Sequence, residues 1–481
     1  MKKMSRRELM KTVRAGLGAG LGAGLELRAQ PVREEPVSSS LLEEISALPN
    51  ITGHEHWGSI DAIGWEESGF LADLRSGLEP ENASIADIIF DPYSGARLHS
   101  KGIDPHAEAK ARGFDHPRSW LRRDPAAAWR SFRTALSGLQ STGCLICLNE
   151  GFRALYGTPL SPLLEEETGV LDKVLALDAE VRNRYSRLVG WHEEAARTLG
   201  IKAVIRPVEL EYGFRKERPG ERRLVTPLLR IDHFCAFYRR PTETMRFCME
   251  RTGLEPKSAD EFREFLAACF SLADGAGFKG TKQLQAYGRP LNFVRPKDSE
   301  VCFAPTEDLA KQRTFGDFVV FECAALAEER GWPHQIHTGT DNLPDSNPLA
   351  LRPLIRAFPG VDFVLIHCWP YLEDAAFLAK DYPNVYLDSC WTPILSPEFF
   401  WRSMGTYIGY LPDSKVMISH DSTSVEMAAG ALILARRLLS EILSARISRG
   451  EIGRQTALSL AASYFAETAK RLYGVQGEEA G

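Results

Sequence analysis

The chain has 481 residues, 44% of them hydrophobic and 25% charged, with a formal net charge of −6. That is globular composition with room for a large core or two domains, and its negative balance argues against nucleic acid or an anionic membrane surface as a partner. No run of about 18 uninterrupted apolar residues occurs, so no stable membrane insertion is expected of the mature chain; nine cysteines, an odd number and scattered apart from Cys144-x-x-Cys147, read as buried apolar residues and not as a disulfide framework.

Residues 1–29 read as an export signal. Lys2, Lys3, Arg6, Arg7 and Lys11 precede a weakly apolar Gly/Ala/Leu stretch, and Ser5-Arg6-Arg7-Glu8-Leu9-Met10-Lys11 is similar to the twin-arginine pattern. A periplasmic or secreted location is therefore expected. Removing this segment, with seven cations and two anions, takes the net charge from −6 to −11. Residues 30–49 read as an acidic linker or short covering helix, 50–475 as one barrel and 476–481 as a flexible tail.

Ile51-Thr52-Gly53-His54-Glu55-His56 opens the barrel as a short strand ending in H-x-H. Residues i and i+2 of an extended chain point the same way, so His54 and His56 converge while Glu55 points elsewhere. Two converging imidazoles are metal-ligand geometry, and two nitrogens leave a shell to be completed from other parts of the chain. A mostly helical insertion is expected at about 57–170, with Asp91-Pro92-Tyr93-Ser94-Gly95 as a loop and a helix from Pro125 to Gly151.

From Leu171 helical and β-branched segments alternate. A helix over 171–199 leads to a strand at 202–208, and further strands are expected at 224–231, 280–287, 333–337, 362–367, 384–388 and 415–421. With the first, these make eight. Eight strands alternating with helices predict an α/β fold, a closed (β/α)8 TIM barrel with a helical insertion after the first strand. His56, His337, His367, Asp388 and Asp421 then each end a separate strand, at the rim where such barrels place their active sites. Lys282 falls on the fourth strand. Arg206, Arg230, Arg289 and Trp369 are candidate pocket residues, and several cations together suggest a carboxylate-bearing substrate. By alternation His334 faces away from His337, and His420 away from Asp421; His99, His106, His116, His192 and His233 read as solvated.

The ordered set His54-x-His56, Gln335-Ile336-His337-Thr338-Gly339, Leu365-Ile366-His367-Cys368 and Ile418-Ser419-His420-Asp421-Ser422 resembles the amidohydrolase superfamily. It is most similar to the amidohydrolase-related branch of single-metal hydrolases, lactonases and decarboxylases. Gly151-Phe152-Arg153-Ala154-Leu155-Tyr156-Gly157, Lys282 with Ala286-Tyr287-Gly288-Arg289, and the closing Arg471-Leu472-Tyr473-Gly474 extend the resemblance over roughly 50–475. It implies that His54, His56, His337 and Asp421 hold one divalent metal, zinc first among the candidates. Neutral imidazoles with one carboxylate suit zinc or another first-row ion better than calcium or magnesium. The resemblance makes His367 and Asp421 the catalytic residues; Arg230, Arg289 and Trp369 are expected to bind substrate from their places in the chain, and Lys282 either contacts an anionic substrate or serves as a metal ligand. A carboxylated Lys282 would bring a second metal. The implied activity is hydrolysis of an amide, cyclic amide or lactone in a small anionic molecule. Non-oxidative decarboxylation, uronate-isomerase-like proton transfer and a non-catalytic ligand-binding barrel are the alternatives. Neither the substrate nor an assembly into homo-oligomers is encoded in these motifs.

Overall fold

The computed structural model describes residues 39–56, 83–166, 168–214, 224–236, 242–340 and 342–475. The segments 1–29 and 476–481 lie outside the described residues, as do the first residues of the insertion. The expected linker is seen from Ser39 as a helix, Ser39–Ala47, whose Leu41 and Ile45 are buried.

Eight parallel strands follow one another in one sheet in chain order: β1 (Asn50–Thr52), β2 (Ile201–Val208), β3 (Val225–Arg230), β4 (Thr281–Gln283), β5 (His334–Thr338), β6 (Phe363–His367), β7 (Val385–Asp388) and β8 (Val416–Met417). The fold is an α/β (β/α)8 barrel. Ile51, Ala203, Ile205, Leu228, Val364, Ile366, Tyr386 and Met417 fill its interior, and the larger core lies outside, between the strands and the surrounding helices. Beyond β8 the chain joins the segment after β1: Asp421 N donates to His54 O at 3.1 Å and His56 N to Ser422 O at 3.2 Å.

Several boundaries differ from the sequence expectation. β1 stops two residues before His54, although Glu55 N still donates to Ile205 O of β2 at 3.0 Å, so the two histidines leave on an almost strand-like path. β4 ends at Gln283 because the next amide, Leu284 N, is taken by the Asp232 carboxylate at 2.8 Å. β8 ends at Met417 because Ile418 N turns to Tyr464 O at 2.9 Å.

The insertion is helical throughout its described part. Asp91-Pro92, Asp104-Pro105, His116-Pro117 and Asp124-Pro125 each start a helix, the first residue capping exposed amides and the proline fitting the first turn. The expected loop at 91–95 is thus the start of the helix Pro92–Ser100. The expected run 125–151 is two helices, Pro125–Leu136 and Gly143–Tyr156, separated near the left-handed Gly138. The expected helix 171–199 is likewise two, Leu171–Tyr185 and Leu188–Leu199. On one straight helix Tyr185 and Trp191 would lie about 120° apart; the break at Ser186 and Arg187 lets both be buried.

Candidate metal centre

Past β1 and β8 three donors form a triangle. His54 Nε2 lies 3.3 Å from His56 Nε2 and 3.4 Å from Asp421 Oδ1, and His56 Nε2 lies 3.2 Å from the same oxygen. Bonds of about 2.0–2.1 Å to one tetrahedral ion separate neighbouring donors by roughly 3.3 Å. The three edges therefore match one face of a zinc-type tetrahedron, and the residues fit a divalent ion.

The chain holds this face ready. The Gln335 side-chain nitrogen donates to Gly53 O and to the Tyr473 hydroxyl, at 2.5 and 2.6 Å, which leaves Gln335 Oε1 as an acceptor 2.8 Å from His54 Nδ1. His54 must then carry its proton on Nδ1 and present the Nε2 lone pair to the centre. Burial, and then the nearby Lys282 charge, lowers the His54 pKa to about 4. Burial opposes ionisation of Asp421, yet His54 and His56 hold its carboxyl well below the usual range. At neutral pH the triangle offers a neutral His54 imidazole and an ionised carboxylate, the protonation states that ligation needs.

A second pair of imidazoles stands on the other carboxylate oxygen. His367 Nε2 is 3.5 Å from Asp421 Oδ2 and 3.1 Å from His337 Nδ1. His367 Nδ1 faces Cys390 O at 3.1 Å, an acceptor that places the proton on Nδ1 and leaves Nε2 free to accept one. Burial brings the His367 pKa to about 3, and burial followed by His367 pushes that of His337 down as well. Of the four residues expected as ligands, His54, His56 and Asp421 form the triangle, and His337 stands beside His367. His367, Cys368, Trp391 and Asp421 have φ of 70°, 62°, 66° and 55°. A left-handed residue other than glycine costs of order 1–3 kcal/mol, and such residues gather at functional sites.

The four expected substrate-binding residues divide. Lys282 is 0% exposed, its Nζ makes no hydrogen bond among the described residues, and burial lowers its pKa to about 8. Arg230 pairs in register with Lys282 across β3 and β4 and is held by Glu209 at 3.0 Å. Arg289 is turned instead to Asp317, at 2.6 Å, and lies over the Phe293 ring. Trp369 is stacked on Phe399 at 3.7 Å with Arg402 over it. Both side chains have partners of their own. Arg206 lies over Tyr212.

His233 and His192, expected to be solvated, are buried, and His233 Nε2 is 3.4 Å from Glu209. His334 is spent on Thr281 and Gln283, and His420 faces Glu55, as strand alternation requires. Sequence reasoning assigned no role to Glu209, Gln335, Cys390 or Trp391, whose ring lies 5.3 Å from that of His367. Glu209 had one readable signal: it is a charge directly after a strand, at the active rim.

Residues 254–420 match the family described as Amidohydrolase. Protein fluG of Emericella nidulans is 31% identical over 160 residues, a match that covers 31% of this chain but only 18% of that protein. The glucuronate isomerase of Caulobacter crescentus superposes with a TM-score of 0.69 at 17% identity, over 93% of this chain and 96% of the other. A proposed metal-dependent hydrolase of Lactobacillus casei gives 0.57 at 16% identity, over 90% and 97%. At these identities the two structures speak for the fold.

Proposed function

We propose that the chain, whose residues 254–420 match the Amidohydrolase family, is a metal-dependent hydrolase adding water across the C–N or C–O bond of an amide, cyclic amide or lactone in a small carboxylate-bearing molecule. The observation that carries this reading is the His54, His56, Asp421 triangle with neutral His367 on the free oxygen of the same carboxylate. A divalent ion held there, zinc being well suited to two imidazoles and a carboxylate, supplies Lewis acidity toward a substrate oxygen and toward water.

The chain handles protons and orientation. His367 Nε2, 3.5 Å from Asp421 Oδ2, is placed to accept a proton and return it to a leaving nitrogen or oxygen, while Cys390 O holds the ring through Nδ1. Lys282, buried and without a hydrogen-bonding partner among the described residues, receives the substrate carboxylate, with Arg230 in register beside it. Its pKa of about 8 sets a pH dependence. Binding of an anion is expected to weaken as pH rises through 8 and the ammonium is lost, and Lys282→Met should abolish that dependence. Dissociation constants measured from pH 7 to 9 test this, and a flat wild-type profile would remove Lys282 from the substrate site.

Isomerisation of a uronate is the second reading, favoured by the superposition on a glucuronate isomerase over nearly the whole chain. A panel of N-acyl amino acids, lactones and uronates in ¹⁸O-labelled, deuterated water separates the two. Hydrolysis puts ¹⁸O into a new carboxylate, whereas isomerisation exchanges a carbon-bound hydrogen and leaves the product isomeric. Isomerisation without hydrolysis of any member would overturn the hydrolase reading.

Among the described residues no helix is long and apolar enough to cross a membrane. We propose a periplasmic or secreted enzyme exported through residues 1–29, tested by fractionating a reporter fused to residues 1–35 with and without Arg6→Lys and Arg7→Lys. Unchanged export of the double variant would rule out the twin-arginine route.

A further inference from the structure

We propose that Tyr93, together with Asp91, is a positioning residue through which the helical insertion holds the ligand Asp421 in place; the inference rests on the metal centre proposed above. Asp421 is left-handed, with φ of 55°. A residue with a side chain keeps that conformation only where its surroundings over-determine it. Its backbone is pinned from two sides: Asp421 N donates to His54 O at 3.1 Å, and the Tyr93 hydroxyl donates to Asp421 O at 2.6 Å. One bond comes from the H-x-H segment and the other from the insertion.

The grip extends along the same loop. Thr423 Oγ1 donates to Asp91 Oδ2 at 3.0 Å, while Asp91 Oδ1 accepts from Ser94 N at 2.9 Å and caps the helix Pro92–Ser100. The cap thus serves two purposes, starting the helix that carries Tyr93 and holding the turn two residues past the ligand. Tyr93, 8% exposed, lies with its ring 5.1 Å from that of Trp391, which in turn lies 5.3 Å from the His367 ring. Arg97, on the same helix, donates to Tyr93 O at 2.8 Å and to Leu395 O at 3.3 Å, fastening the helix to the chain just beyond Trp391. One side chain therefore bears on the backbone of the carboxylate ligand and on the ring packed against His367. A buried phenol needs some acceptor for its hydroxyl, which packing alone could satisfy anywhere. Here the acceptor belongs to the residue whose carboxylate forms the triangle.

A residue that only packs and a residue that positions respond differently to loss of one oxygen. Tyr93→Phe keeps the ring and removes the hydrogen bond to Asp421 O. The metal-free variant is expected to unfold within a few degrees of the wild type, the cost of one buried hydrogen bond, while its affinity for Co²⁺, measured by chelator competition, falls about 10–100-fold, the scale for losing an outer partner of a ligand. The visible ligand-field spectrum of the Co²⁺-loaded protein should change with it. Thr423→Val, which removes the contact to Asp91, should shift both readouts the same way and serves if Tyr93→Phe does not fold. Wild-type affinity and spectrum in both variants would overturn the inference, as would a loss confined to the melting temperature of the metal-free protein. A wild-type protein that takes up no Co²⁺ would overturn the metal centre itself, a distinguishable result that removes the positioning role with it.

Discussion

Replacing His367 with asparagine is expected to lower turnover by about 10² to 10⁴ while leaving the protein folded and its metal in place, the usual scale for removing one acid–base group. The geometry behind this is asymmetric. Asp421 Oδ1 faces His54 and His56, whereas His367 Nε2 stands 3.5 Å from Oδ2 and outside the triangle. The asparagine side chain is smaller than imidazole and polar, so it offers Cys390 O a donor without the titratable nitrogen. His337→Asn is expected to act differently, lowering metal affinity and recovering with excess metal, in keeping with its expected role as a fourth ligand. Metal content and rate are to be measured for both. Because His337 Nδ1 and His367 Nε2 are only 3.1 Å apart, the pair can exchange roles: loss of metal in His367→Asn with retention in His337→Asn would reverse the assignment.

The second large effect concerns folding. The helices Gly143–Tyr156 and Val425–Ser448 cross in backbone contact, because each presents a glycine to the other. A Cβ on Gly430 would sit 1.7 Å from Cys147 O, and one on Gly151 would sit 1.8 Å from Glu426 O. Neither obstacle is a flexible side chain, so the helices themselves must part. Ordinary overpacking costs about 1–3 kcal/mol, and Gly430→Val is expected to exceed the top of that range and abolish stable folding. Tyr156 and Tyr185, which donate to the buried Glu426 at 2.6 and 2.8 Å, would lose their register as well. The damage should reach the metal centre, since the long helix begins four residues after Asp421. Gly190→Ala is the control: it lies inside the helix Leu188–Leu199 with nothing within 4 Å of a new Cβ. Helix propensity makes that change neutral or stabilising by up to about 1 kcal/mol. Thermal unfolding of the two variants checks the account, which a Gly430→Val protein as stable as wild type would contradict.

Much of this was legible because parallel strands are buried on both faces and announce themselves as β-branched runs, with the polar residue that follows marking the active rim. Val364-Leu365-Ile366-His367 carries all of that in four letters. Alternation also separated His337 from His334 correctly, since it depends only on the local path of the chain. What stayed hidden was partnership between distant segments. Leu284 leaves its ladder for Asp232, Gln335 fixes the His54 tautomer from 281 positions away, and Arg289 and Trp369 settle on Asp317 and Phe399. None of these is implied by spacing. The start of the helix at Pro92 was readable in principle from the Asp-Pro pair, because turn chemistry and a capped helix begin with the same residues.

The central claim is one divalent ion on His54, His56 and Asp421, and elemental analysis of protein prepared with zinc supplied tests it most directly. About one equivalent per chain is expected in the wild type, and close to none in His54→Ala or Asp421→Ala. A metal-free wild type, a full equivalent retained in Asp421→Ala, or two equivalents that fall to one when Lys282 is replaced would each contradict it.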